Sequence, residues 1–136
     1  QDPQGYYFGG NSMHFTPREM ATLGLLYLNG GKLNDIQIVP SDWIDLSVTK
    51  TWEQDSPAWG VLTNYNYGYL WWLGEINEYA LHMALGYGGQ TVLVFPELNL
   101  IVVTTAHEDI PPDVDQERPI LELVSSYILT AVNDEP

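Results

Sequence analysis

Apolar residues recur at helical spacing from residue 20 to residue 28, alternate or run together from residue 67 to residue 105, and return to helical spacing from residue 120 onward. The pattern predicts helix, then sheet, then helix. The first helix carries its own start signal. Thr16-Pro17-Arg18-Glu19 is a capping box, in which a hydroxyl and a carboxylate take up free amides of the first turn. Pro17 suits the first helical position, and Phe15 with Met20 can form a hydrophobic staple. Met20, Leu23, Gly24 and Tyr27 make one stripe, Leu25 and Leu28 widen it, and Asn29-Gly30-Gly31 ends the helix. A segment at 36–39 leads through Pro40 into a second helix over about 41–48, starting at Pro40 or Ser41, with Trp43, Ile44 and Leu46 on a less regular apolar face.

Residues 51–66 show no convincing period, and Trp52, Pro57, Trp59 and Gly60 suggest a loop folded over the protein as a lid or cleft wall. Residues 67–73 (YGYLWWL) and 79–85 read as strands joined by a turn near 74–78. Residues 91–95 and 100–105 form a third and a fourth, with Pro96-Glu97-Leu98-Asn99 as their hairpin turn. The run Ile101-Val102-Val103-Thr104-Thr105 predicts a strand covered on both faces. After an acidic, proline-rich loop at 107–119, Ile120, Leu121, Leu123, Val124, Tyr127, Ile128, Ala131 and Val132 define a final amphipathic helix on the sheet. No repeat or linker divides the chain. Residues 1–136 therefore read as a single domain, or part of one, of α+β class: an antiparallel meander of four strands with packing helices.

Charge narrows the function. Eighteen acidic residues against four basic ones give a formal net charge of −14, which repels phosphate backbones and anionic lipid and so disfavours nucleic acid and membrane surfaces as partners. Without cysteine there is no disulfide framework, thiolate nucleophile or cysteine zinc site. No apolar run is long enough to insert into a membrane. The chain opens on Gln with no leader and reads as part of something longer, which leaves the compartment open.

The candidate chemistry centres on Leu85-Gly86-Tyr87-Gly88-Gly89-Gln90-Thr91. Three glycines around an aromatic either mark a bulge or bend at a sheet edge, or let a ligand approach the backbone without a Cβ in the way. The histidines at 14, 82 and 107 have no companion ligand at a helical offset, so we expect no metal site. Asp113-x-Asp115-x-Glu117 lacks the turn glycine and terminal bidentate Glu of a calcium loop and reads as a solvated acidic loop. There is no GxSxG, Walker loop or dinucleotide fingerprint. A glycine-rich strand edge can still aim a backbone amide at a developing oxyanion.

The series FTPREMATLGLLYLNGGKL, IVPSDWIDLS, YGYLWWL and LGYGGQTVLVFPELNLIVVTT, in that order and spacing, resembles the C-terminal portion of the serine β-lactamase and penicillin-binding superfamily. The likeness is to its class C β-lactamase, carboxylesterase and D-aminopeptidase-like branch, and it covers residues 9–106. It implies a β-lactamase/transpeptidase-like fold and a parent protein that hydrolyses ester, lactam or amide bonds through an acyl-enzyme. That family builds its site from an SxxK motif with the serine nucleophile, a tyrosine motif such as YxN, and a KTG-like strand lining the acyl pocket. The resemblance puts Tyr87-Gly88-Gly89 at the KTG-like strand, with Tyr87 where that motif has Lys, or His in many esterase-like members. Tyr87 and the backbone amide of Gln90 would then be catalytic, the amide as an oxyanion donor, with Gly88 and Gly89 giving the substrate room. A tyrosine at 87 departs from the lactamase pattern and leans towards esterase or amide hydrolase relatives.

Ser47-Val48-Thr49-Lys50 spells SxxK and Tyr27-Leu28-Asn29 spells YxN, but both read as decoys. In the family the nucleophile opens a buried helix and precedes the tyrosine motif, whereas Ser47 lies near a helix end and follows Tyr27. The resemblance therefore implies a fragment, inactive alone, whose nucleophile lies upstream. It implies a small-molecule or peptide substrate, no cofactor, and an extracytoplasmic or periplasmic parent. It also implies a sheet stripped of neighbouring strands, and self-association through the exposed edge. Trp59 and Tyr65 are further candidates for the cleft wall. The alternatives are a non-catalytic module of the same ancestry that binds a peptide or partner chain, and an unrelated acidic domain whose glycines are structural.

Overall fold

Thr16 starts the first helix through both halves of the capping box. In the structure, a computed structural model describing residues 2–6, 13–51, 58–107, 109, 111 and 113–133, the Glu19 amide donates to Thr16 Oγ1 at 3.4 Å. The Thr16 amide and hydroxyl donate to Glu19 Oε2 at 2.7 and 2.8 Å. These bonds, the one from the backbone amide foremost, hold the Glu19 carboxyl below its ordinary pKa. They open α1 (Pro17–Leu28), which Asn29 closes by donating its amide to the Leu25 carbonyl. Phe15 stays half exposed, and Met20 packs towards the sheet.

Beyond α1 lie a two-stranded ribbon, β1 (Lys32–Leu33) and β2 (Ile36–Gln37), and a short helix α2 (Ser41–Ser47) capped from Pro40. Six antiparallel strands then run in sequence order across one sheet: β3 (Ala58–Trp59), β4 (Leu62–Tyr67), β5 (Trp72–Ile76), β6 (Tyr79–Gly86), β7 (Gln90–Phe95) and β8 (Leu100–Thr104). The fold is α+β with an antiparallel meander, as the pattern predicts.

Among the described residues the meander has six strands rather than four. The stretch 51–66 is not simply a loop: it contains β3 and most of β4, whose alternation is masked by polar residues and by a register shift between Thr63 and Asn66. Conversely, YGYLWWL is not a strand. Its centre is the turn between β4 and β5, closed by the Gly68 amide donating to the Trp71 carbonyl, with Leu70 at φ +67°. The next turn is also tighter than expected, with only Asn77 and Glu78 between β5 and β6, both at positive φ.

The sheet is covered on both faces. On one, α1 lies over β7 and β8 and approaches closely at Gly24, where an added Cβ would come within 2.8 Å of Ile101 Cγ2. Met20, Tyr27 and Leu28 pack there with Trp71, Val92 and Val94, whereas Leu23 and Leu25 lie on the flanks and stay substantially exposed, so the buried stripe is narrower than predicted. On the other face Leu81, Met83, Leu93, Phe95 and Val102 meet Leu121, Val124 and Leu129. Burying each such side chain contributes roughly 1.5–3 kcal/mol. Val102 faces one core, and Ile101 and Val103 face the other, which accounts for the β-branched run in β8.

The C-terminal helix consists of α3 (Glu117–Leu123), a π-helical turn (Val124–Ile128) and α4 (Leu129–Asn133). In the π turn the Leu129 amide donates to the Val124 carbonyl, five residues back. The extra residue rotates the helix so that Leu129, absent from the predicted stripe, is fully buried, while Leu123 and Tyr127 face outward.

Candidate functional site

The register Gly86↔Gln90 leaves Tyr87, Gly88 and Gly89 as the whole connection between β6 and β7. Gly88 and Gly89 sit at φ +78° and +80°, a region L side chains rarely adopt. The glycines predicted on a strand thus form a hairpin turn. Gly89 has a second reason to lack a side chain, because an added Cβ would lie 2.8 Å from Ile120 Cδ1 and 3.2 Å from Ala106 Cβ. The start of the C-terminal helix and the segment after β8 press against the turn from behind.

Polar contacts fix that back side. The Thr104 hydroxyl donates to the Gly89 carbonyl at 2.9 Å and lies 2.6 Å from the Thr91 hydroxyl. Gln90 Nε2 donates to the Ala106 carbonyl at 2.7 Å, and Gln116 Nε2 donates to the His107 carbonyl at 3.3 Å. Gln116 Oε1 is buried with no partner among the described residues. With Gly88 and Gly89 buried and Tyr87 69% exposed, the turn presents one aromatic phenol on a rigid mount. All four predicted site residues therefore lie together, three in the turn and Gln90 at the first position of β7.

The other predicted residues disperse. Ser47 is fully buried, and its hydroxyl donates to the Ile44 carbonyl at 2.9 Å and to the Tyr27 hydroxyl at 3.2 Å. Tyr27 in turn packs on Trp71, ring centroids 4.2 Å apart, and Asn29 caps α1. Ser47 is closed to substrate, and its bond to Tyr27 joins α1 to α2. Trp59 and Tyr65 are partly buried and pack against the core on the C-terminal helix side; Trp52 and Pro57 lie outside the described residues. Asp115 accepts the Arg118 amide at 3.0 Å and pairs with Arg118 Nε at 3.3 Å, serving the start of α3. Among the described residues no three His, Asp or Glu side chains converge as metal ligands. A shallow hollow beside the end of α1, lined by Leu25, Asn29, Lys32, Asn34 and Asp35, contains none of the predicted site residues.

One polar feature escaped the sequence reading. Asn66, Leu73, His82 and Val94 pair in a row across the α1-side face of β4 to β7. Asn66 Oδ1 and His82 Nδ1 are both buried without partners among the described residues, and burial lowers the His82 pKa. The signal was the alternation in β6, where Ala80, His82 and Ala84 oppose Leu81, Met83 and Leu85.

No family model matches the chain. An uncharacterized protein of Alkalihalophilus pseudofirmus is 33% identical over 106 residues, covering 68% of this chain, and the chain spans 29% of that relative's length. Among the described residues no helix is long and apolar enough to cross a membrane.

Proposed function

We propose that this chain is the C-terminal part of a serine hydrolase of the β-lactamase and penicillin-binding superfamily, inactive alone. Its longer parent would cleave an ester, lactam or amide bond of a small molecule or peptide through an acyl-enzyme. One observation carries the reading: the turn is clamped from behind at Gly89 and holds the exposed Tyr87 outward at the end of the sheet, so that side chain can stand at one wall of an acyl pocket. In that role the Tyr87 hydroxyl lies at the mouth of the pocket, Gly88 and Gly89 supply the positive-φ backbone that turns the chain there, and the Gln90 amide donates to the oxyanion. The buried Ser47 fits its reading as a decoy, and the much longer A. pseudofirmus relative fits a chain that is one part of a larger protein.

A binding module of the same ancestry is the second reading, favoured by the exposed aromatic at a sheet end. A chromogenic ester and a chromogenic cephalosporin separate the two. The chain alone should turn over neither, and the full-length parent should turn over at least one. A parent inert to both supports the binding module, and turnover by the chain alone that Ser47→Ala abolishes overturns both.

A further inference from the structure

We propose that α2 and the turn between β4 and β5 form a binding shelf for an arginine or lysine side chain of a peptide. Trp43, on the exposed side of α2, packs its ring against Tyr69 of the turn, with centroids 5.7 Å apart and planes tilted by 43°. Both rings remain about half exposed, as does Leu46 one turn further along α2. Clustered exposed aromatics of this kind mark surfaces that bind partners. The mount is rigid. The Tyr69 amide donates to the Ser47 carbonyl at 2.9 Å, the Thr51 amide and hydroxyl donate to the Tyr67 carbonyl at 3.0 and 2.8 Å, and a Cβ on Gly68 would run into the Ser47 carbonyl.

Leu70, at the tip of the same turn, is a residue the fold does not explain. Of the seven non-glycine residues at positive φ among the described residues, six are Asn, Asp or Glu, and the seventh is Leu70 at +67°. Short polar side chains reach that region readily, whereas a branched apolar one is strained there. Nothing inside the molecule compensates, because the Leu70 side chain is 76% exposed and belongs to neither core. A strained residue without internal contacts points to a contact made outside.

Charge selects the occupant. Asp42 and Asp45 are exposed on α2 beside Trp43 and Leu46, and neither α2 nor residues 68–71 contain a lysine or arginine. A guanidinium or ammonium group satisfies both features, since it is drawn to the faces of Trp and Tyr and pairs with carboxylates. The formal charge of −14 attracts a basic peptide and repels an acidic one. The shelf also stands near the candidate site. Trp72 pairs with Met83 and Gly86 with Gln90, so the turns at 69–70 and 87–89 leave the same end of the sheet from neighbouring hairpins. At about 3.3 Å per residue and 4.8 Å per strand, Leu70 and Tyr87 are roughly 8 Å apart along the backbone lattice, within the span of a short extended peptide. The shelf thereby names a substrate class for that site, a cationic peptide; this assignment rests on the hydrolase reading, and the binding itself does not.

Calorimetric titration of the 136-residue chain and of the full-length gene product with a blocked pentapeptide of alternating leucine and arginine tests the proposal. The glutamate counterpart and cellopentaose, a neutral ligand that also stacks on aromatics, serve as controls. We expect both proteins to bind the arginine peptide and neither control. Trp43→Ala should weaken binding roughly tenfold or more, and Asp42→Asn with Asp45→Asn should weaken it severalfold and flatten its salt dependence. Leu70→Gly relaxes the backbone, so it should weaken binding severalfold with a melting temperature no lower than that of the wild-type chain. Absence of binding overturns the proposal, as does binding that Trp43→Ala and Leu70→Gly leave unchanged, which is general attraction to an acidic surface. Binding by the chain but not by the full-length protein, or binding of cellopentaose in place of the peptide, overturns it too. A full-length protein that binds the peptide but hydrolyses no ester or cephalosporin removes the hydrolase reading and keeps the shelf.

Discussion

Gly89 is glycine for two independent reasons, a φ of +80° and the Ile120 side chain 2.8 Å from where a Cβ would stand. Gly89→Ala should therefore cost about 1–3 kcal/mol by urea denaturation. Tyr87 is exposed, so Tyr87→Ala should change stability by less than about 0.5 kcal/mol. In the full-length parent it should lower turnover about 10²-fold or more if the phenol moves a proton. That contrast separates a site from a structural turn. His82 makes a different prediction, from linkage. Its folded pKa lies below the ordinary 6.5, so the unfolded chain binds the proton more readily. The stability gained by keeping it neutral is present above 6.5 and is lost as pH falls below that value towards the depressed folded pKa. Urea melts at pH 7.5 and 5.5 should show a smaller loss for His82→Leu than for the wild-type chain, the difference isolating His82 from the many carboxylates. Equal losses would remove His82 from the account. The box at Thr16 was readable because its chemistry is local, whereas His82 was not, since its burial depends on what three other strands place around it.

Elements were legible where period and boundary signals agreed. α1, α2, β6, β7 and β8 appear close to their predicted bounds because caps, turns and alternation coincide there. β4 was missed because its Asn and Thr residues look like loop, and the strand nonetheless forms because β5 offers its neighbour a ladder. The π turn could not be read from spacing, since it breaks the very period used to find the helix. Its anchor is tertiary: Asn77 Nδ2 donates to the Ser125 carbonyl at 2.8 Å, and the Ser125 hydroxyl donates to Asn77 Oδ1 at 2.7 Å. Asn77 also sits at φ +51° in the turn before β6. Asn77→Gly preserves the turn and removes both bonds, so a loss of about 1–2 kcal/mol there assigns the cost to the helix anchor. Asn77→Ala should cost more, because it adds backbone strain; an unchanged melt for the glycine variant would contradict the anchor.

Across the whole molecule, a sheet packed on both faces gives a strongly acidic chain two cores. The same architecture bears on function. The candidate site stands at the end of β6 and β7, mounted on the C-terminal helix, and its order after α1 and α2 carries the resemblance to serine hydrolases. Sequence located the four residues of the turn and of β7. It did not show that the glycines form a turn or that Gln116 and Thr104 brace it, because those contacts join residues far apart in the chain.

The central claim, that this chain contributes one wall of an acyl-enzyme site, is tested most directly with a fluorophosphonate probe and peptide mapping on the full-length gene product beside the 136-residue chain. A single labelled serine outside these residues, with no label on the chain alone, is the predicted result. A full-length protein that takes up no label, or a label on Ser47, would contradict it.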